Sequence, residues 1–355
     1  MAKLLPHEQN RATQPVKTHK VFNNWNVVAK GYYYAFRSDE LKSGQVKSVN
    51  LCGQHIAIYR SESGKLAAMD GYCPHMGVDL GIGKVQGEHL RCFFHHWKFA
   101  ADGKCVDIPC KEAVPNNAKL QTYVCIEKYG CIFVWPDEKA DEEFVTYDEF
   151  TAEESVYHID PPFARKCHHH VNMINGLDPQ HLRTVHNVDI EMNLDMENTS
   201  PGVLDITLAG KLPIGNLKEK VARTILGESY SYSMRYAHGT VGALTLMKNV
   251  KLFNRWSIPA LHMIYCYRPV EPGKTEVIPI YINKKRSSLL GKAFSRFQLW
   301  LTKRLFYMLR GEDGEVYENI RFKTESLLKI DLPVARYVGY INKQRPSVWS
   351  KELGE

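Results

Sequence analysis

Short apolar runs broken by turn residues dominate the first third of the chain. Residues 25–29 and 31–36 are rich in Trp, Val, Tyr and Phe, the side chains that fit a pleated strand. Residues 54–59 alternate in part and lead into Ser61-Glu62-Ser63-Gly64, a turn. Residues 124–126 and 131–135 flank Lys128-Tyr129-Gly130 and predict a hairpin. The second half mixes strand patterns, as at 203–208 and 277–281, with helical ones. At 289–310, Leu290, Phe294, Phe297, Leu301, Leu305 and Met308 recur at steps of three and four, and Lys292, Arg296, Lys303 and Arg310 fall opposite. An acidic stretch over 136–154 separates the halves. The pattern predicts an α+β protein: an arm at 1–23, an all-β domain at 24–140 and a domain of mixed strands and helices at 141–355.

Composition narrows the function classes. The 355 residues are 44% hydrophobic and 24% charged, as in globular proteins. The net charge of +7 is dispersed and favours anionic partners such as an acidic electron carrier. No basic motif of a nucleic-acid reader is present, so no nucleic-acid partner is expected. No run of 18 apolar residues occurs, and the polar first twenty residues lack a signal-peptide core. Two of the nine cysteines, Cys73 and Cys92, stand in a metal-ligand motif; the other seven, with Cys105 and Cys110 as small core residues, are expected as free buried thiols in a reducing cytoplasm.

Four of the metal-binding side chains stand in one short stretch. Cys73-Pro74-His75 is followed, after sixteen residues, by Cys92-Phe93-Phe94-His95. Two Cys and two His in that order suit a [2Fe-2S] cluster in which imidazoles replace the thiolates on one iron and raise its potential. Structural zinc also accepts two Cys and two His, but usually from Cys-x2-Cys and His-x3-5-His pairs, whereas here the ligands alternate. His96, beside His95, is expected to pack or to support a ligand. The segment resembles the Rieske domain of ring-hydroxylating oxygenases, although Phe93 stands where that family usually has proline.

The second half carries Asn175-Gly176-Leu177-Asp178-Pro179-Gln180-His181, then His186. The two histidines are five apart, about 140° around a helix, so one metal could take both only across a kink or a widened turn. An isolated pair would more often be packing; two imidazoles and a carboxylate are also the facial triad of non-haem Fe(II) sites, which leaves positions open for O2. This motif is similar to that of the same oxygenase family. The resemblance covers about residues 24–325 and implies His181 and His186 as iron ligands. It implies Asp178 as the bridge between the mononuclear site and the Rieske histidine, and Asn175 as a neighbour of the iron in monooxygenase-type members. It places the third ligand in the segment 310–320, with Asp313 preferred and Glu312 as the alternative. The triplet His168-His169-His170 is expected on a strand or at the surface, with one a candidate for the pocket lining; neighbours on a strand point to opposite faces and cannot share one ion.

What the family resemblance implies is an oxygenase α subunit whose catalytic domain has an antiparallel sheet. A separate reductase or ferredoxin, drawing on NAD(P)H, would reduce the cluster. Electrons would pass from His95 through Asp178 to His181 between subunits of a head-to-tail homotrimer, and O2 would be the co-substrate. Hydroxylation, demethylation or desaturation of a bulky hydrophobic molecule is expected. The text around the cluster resembles steroid-acting members, and Met173, Leu177, Met192, Leu194 and Met196 are candidate pocket residues for a sterol- or isoprenoid-like substrate. An aromatic, pigment or alkaloid substrate is the alternative within the class; a Rieske electron carrier without oxygenase activity, or a zinc-dependent structural protein, is the alternative outside it. The basic segment 289–310 reads first as an ordinary surface helix with a solvated basic face, and alternatively as a dock for an acidic ferredoxin or an anionic membrane, so the expected location is cytoplasmic, with peripheral membrane contact as the alternative.

Overall fold

The structure is a computed structural model; it describes residues 21–110, 112–186, 192–211, 223–224, 227, 229–248, 250–253 and 255–351. Most of the arm at 1–23, and the side chain of Met192, lie outside the described residues.

The first half builds a six-stranded antiparallel sheet in the order Tyr33–Arg37, Cys131–Trp135, Thr122–Lys128, Leu66–Asp70, Gln54–Arg60, Gln45–Leu51. The predicted hairpin turns on Tyr129 and Gly130, both at positive φ (51° and 69°). Residues 25–29 do not form the expected strand; Ala29 makes only an isolated bridge to Pro346. A smaller four-stranded sheet, Lys84–Gln86, His89–Arg91, Lys98–Phe99 and Cys105–Asp107, caps this unit.

The second half is organised on an eight-stranded antiparallel sheet that includes Met192–Ser200, Val203–Lys211, Ser229–Ala237, Val241–Lys248, Leu261–Glu271 and Lys274–Lys284. Side chains alternate across a strand, and in the last two strands both sets are apolar. Met263, Tyr267, Val277 and Tyr281 enter one core, while Ile264, Cys266, Ile278, Ile280 and Ile282 enter another. The sheet is therefore covered on both faces. One cover is the first sheet, through Tyr34, Phe133 and Trp135. The other is a helical layer: α1 (His169–Met173), α2 (Pro179–Thr184), α3 (Leu289–Asn319) and α4 (Leu332–Asn342).

The chain ends stitch the halves together. Val21 and Phe22 are fully buried beside α4, and both backbone N–H groups donate to Asn342 Oδ1 at 3.0 and 2.9 Å. Trp349 returns to the core of the first sheet.

Three further local predictions are overturned. His168, His169 and His170 are on no strand and no surface: His168 caps α1, the other two open it, and all three are buried. Helix α3 runs far past 310, to Asn319, so Glu312 and Asp313 lie deep in a helix rather than at a helix start. All nine cysteines are unpaired, and Cys110, expected in the core, is exposed.

Candidate metal centres and the cavity between helices and sheet

Two tight loops carry the Cys/His quartet. The first leaves strand Leu66–Asp70 and is closed by Cys73 N–H to Val78 O at 2.9 Å. The second joins His89–Arg91 to Lys98–Phe99 and is closed by Cys92 N–H to Trp97 O at 2.9 Å. The loop pairing brings the Nδ1 atoms of His75 and His95 to 3.1 Å. Trp97 stacks on His75 with centroids 4.4 Å apart and an interplanar angle of 7°. Cys73 and Cys92 are buried beneath the histidines. Burial pushes the Cys73 thiol up to about 11, against the lowering pull of the His75 backbone N–H. Binding a cation would favour the Cys73 thiolate, and two sulfurs with two converging imidazole nitrogens fit a cluster. His96 neither packs nor supports a ligand: it is exposed and turns the loop at φ 58°.

The second centre is assembled from two distant segments. Asp178 caps α2, its Oδ1 accepting from the N–H groups of Gln180 (3.0 Å) and His181 (3.2 Å). Helix α2 then stops at Thr184, so His186 sits on the exit turn rather than on the helix. That early stop resolves the angular mismatch of a five-residue spacing. Across the cavity, α3 supplies Asp313. His181 Nε2 and His186 Nε2 are 3.0 Å apart, and each lies near Asp313 Oδ1, at 2.9 and 3.0 Å. The three ligand atoms form a nearly equilateral triangle. Bonds of about 2.1 Å meeting at right angles give edges of about 3.0 Å, whereas a tetrahedral ion would spread them to about 3.4 Å. The set fits one facial position of an octahedral ion.

The supports of these three groups are as specific as the groups themselves. Glu312 Oε2 accepts from His186 Nδ1 at 2.5 Å, so the alternative carboxylate orients a ligand instead of joining the triangle. Asn175 Nδ2 donates to Asp313 Oδ2 at 2.6 Å. Both are outer contacts that fix tautomer and orientation. The role of Glu312 went unread because it depends on which side of α3 each acid occupies.

The triangle opens into a cavity of about 440 Å³ between the sheet and the helices, within the range of pockets that take drug-sized ligands. Its wall is mainly apolar, with Met173, Met234, Leu244, Tyr265, Phe306 and Leu309. Beside the ligand set, Arg165, Asn172, Asn175 and Arg310 are the polar parts of the lining. Of the pocket candidates read from sequence, Met173 lines it; Leu177, Leu194 and Met196 pack into the core instead. A Cβ at Gly176 would stand 1.8 Å from Met234 Sδ, so any side chain there would have to displace Met234.

The buried histidine triplet forms a separate cluster. Its ring centroids are 4.1 to 4.4 Å apart, and one ligand atom from each lies within 4.8 Å of the others. The strand argument against a shared ion therefore lapses. His168 and His169 are stacked at 25°, a packing geometry.

The comparisons with known proteins follow this geometry. Residues 31–123 match the family model of the Rieske [2Fe-2S] domain. A cholesterol 7-desaturase of Ciona intestinalis is 39% identical over 170 residues, 45% of this chain and 35% of that protein. The oxygenase component of a 3-ketosteroid-9-alpha-monooxygenase of Rhodococcus rhodochrous is 35% identical over 109 residues, 31% of this chain and 28% of that protein. The chain thus spans well under half the length of these curated relatives. A fluorene-bound oxygenase and ferredoxin complex of carbazole 1,9a-dioxygenase superposes with a TM-score of 0.67 at 15% identity, covering 92% of this chain and 93% of that one. Residues 31–123 therefore carry a Rieske [2Fe-2S] domain, and over nearly its whole length the chain shares the fold of that oxygenase.

Proposed function

We propose that the protein is the oxygenase component of a Rieske non-haem iron system acting on a bulky, sterol-like molecule. The observation that carries this reading is the His181–His186–Asp313 triangle facing an apolar cavity, in a chain that also holds a Rieske domain. Cys73, His75, Cys92 and His95 would hold the [2Fe-2S] cluster in a domain over 24–140, and the three ligands would hold Fe(II) in a catalytic domain over 141–355. Iron so bound supplies O2 activation, because three protein ligands leave open positions. The chain's own residues do the rest. Met173, Met234, Leu244 and Phe306 exclude water and bind an apolar skeleton. Glu312 and Asn175 hold His186 and Asp313 in place. Asp178, whose Oδ1 accepts from the His181 N–H at the start of α2, would link that histidine to His95 of a neighbouring subunit.

The substrate class rests on the cavity wall and on the activities of the two sterol-acting relatives. Electrons would come from a separate reductase or ferredoxin and ultimately from NAD(P)H; one relative is named an oxygenase component and one structural neighbour holds a ferredoxin. Exposed Tyr72, Met76, Phe93 and Phe94 surround the cluster histidines and suit docking of that donor or of a neighbouring subunit in a head-to-tail trimer. Nine unpaired cysteines suit a reducing, cytoplasmic setting.

The test is iron content followed by turnover. About three irons per chain fit the oxygenase and about two fit a carrier with a cluster alone. Anaerobic reduction, admission of O2 and mass spectrometry of cholesterol then separate a gain of about 16 mass units, hydroxylation, from a loss of about 2, desaturation. Two irons and unchanged sterol would establish the electron-carrier reading instead.

A further inference from the structure

Helix α3 presents its apolar stripe to solvent. Leu290 is 86% exposed, Phe297 51%, Trp300 52% and Met308 62%. The side turned to the sheet includes Ser295, Gln298 and Thr302, all buried. Those polar groups are tied down. Arg286 Nη1 donates to Ser295 Oγ (2.9 Å) and Gln298 Oε1 (2.7 Å), and Lys303 Nζ reaches the buried Asp160 at 2.5 Å. The helix cannot roll its stripe inward without breaking these bonds. Lys303, predicted on an outward basic face, is therefore an anchor, and the outward face is apolar.

Charge and position identify what covers it. Residues 289–311 contain no acidic side chain. Lys292, Arg296 and Arg304 are exposed along the stripe, with the Arg304 guanidinium 5.7 Å from the Trp300 ring. A second apolar and basic element lies nearby: the hairpin Lys251–Leu252/Trp256–Ser257 exposes Phe253 and Trp256, with Arg255 over Trp256. Both elements border the cavity, the helix through Leu305, Met308 and Leu309, the hairpin through Val250 at its base. Exposed Met308 belongs to the cavity wall and the outer stripe alike, so the cavity reaches the surface there. Two copies meeting symmetrically on this face would set Lys292, Arg296 and Arg304 against like charges. An electron donor must approach His75 and His95, in the other domain. Aromatic and leucine side chains rimmed by cations complement an anionic lipid surface. Among the described residues no helix is long and apolar enough to cross a membrane, so the helix lies on the surface.

We infer that the outer face of α3 and the 251–257 hairpin seat the protein on an anionic bilayer, and that the substrate enters the cavity from the lipid past Met308. The second clause rests on the oxygenase reading; the first does not. Full-length protein with its cluster loaded is floated with phosphatidylcholine vesicles carrying about one-third phosphatidylserine. Wild type is expected to float, and Leu290→Glu/Phe297→Glu and Arg296→Glu/Arg304→Glu to lose about tenfold in partition, with the visible spectrum of the cluster unchanged. Turnover of vesicle-borne cholesterol should fall by the same factor while turnover of detergent-dispersed cholesterol holds. Absence of wild-type flotation, or flotation unchanged in both variants, overturns the inference. A variant that floats normally but changes oligomeric mass, or slows reduction of the cluster, reassigns the face to a subunit or an electron donor and equally overturns it. Flotation needs no turnover, and detergent-dispersed turnover needs no membrane, so each claim fails separately.

Discussion

Glu312 and Asp313 divide His186 between them: Glu312 takes Nδ1 at 2.5 Å, and Asp313 lies 3.0 Å from Nε2. Neighbours in sequence on α3 thus have different tasks. Asp313→Ala is expected to empty the mononuclear site and abolish turnover while leaving the cluster spectrum intact. Glu312→Ala keeps the triangle but loses the acceptor that orients His186, so iron affinity should fall about 10- to 100-fold, with occupancy restored by added Fe(II). Iron analysis beside cluster absorbance reads both. Full iron in the Asp313 variant would transfer the ligand role away from it.

Gly176 sets the shape of the cavity. Its Cβ would collide with Met234 Sδ, and Tyr232 hydroxyl donates to the Gly176 carbonyl at 3.0 Å. Gly176→Ala should push Met234 into the cavity. The expected result is KM raised about tenfold for a bulky substrate, with iron content kept. Pairing it with Met234→Ala should recover most of the loss. Equal KM in all three proteins would mean that the substrate does not reach this wall.

Much of this site could be read from sequence because its ligands recur at short spacings. Cys73, His75, Cys92 and His95 need only two loops, and strand alternation predicts those loops. Asp313 depended on resemblance, since nothing local in 310–320 shows which acid turns toward α2. The face of α3 was read backwards. Periodicity finds an apolar stripe at Leu290, Phe294 and Phe297 but not its direction, which is fixed by distant partners, Asp160 and Arg286. The triplet at 168–170 was misread for a related reason. Adjacent residues diverge on a strand, but at a helix start their rings can gather, as these do, within 4.4 Å.

The cluster histidines invite a spectroscopic prediction. Replacing one neutral imidazole by a thiolate adds negative charge to the iron and lowers its potential. His95→Cys is expected to retain visible absorbance with an altered spectrum and to shift the potential down by on the order of a hundred millivolts or more. Protein-film voltammetry measures it. An unchanged potential in a loaded variant would remove His95 from the ligand set.

The buried triplet makes folding sensitive to acid. Burial drives His168 down to about 3, and His169 and His170, buried and beside other imidazoles, well below the ordinary range. A histidine with a lowered folded pKa is neutral in the native state but takes a proton on unfolding. Its contribution is therefore fully present above the unfolded pKa of about 6.5 and is lost as pH falls below it. Each such group costs up to about 1.4 kcal/mol per pH unit, and three act together over roughly pH 6.5 to 4. Denaturant midpoints should accordingly hold from pH 8 to 7 and drop steeply by about pH 5.5. His169→Phe, which suits an apolar surround of Tyr33 and Tyr267, should flatten that slope by about one third. A wild-type midpoint that does not move between pH 7 and 5.5 would show that the cluster is charged or ligated in the native state, and metal analysis of the folded protein would then decide which.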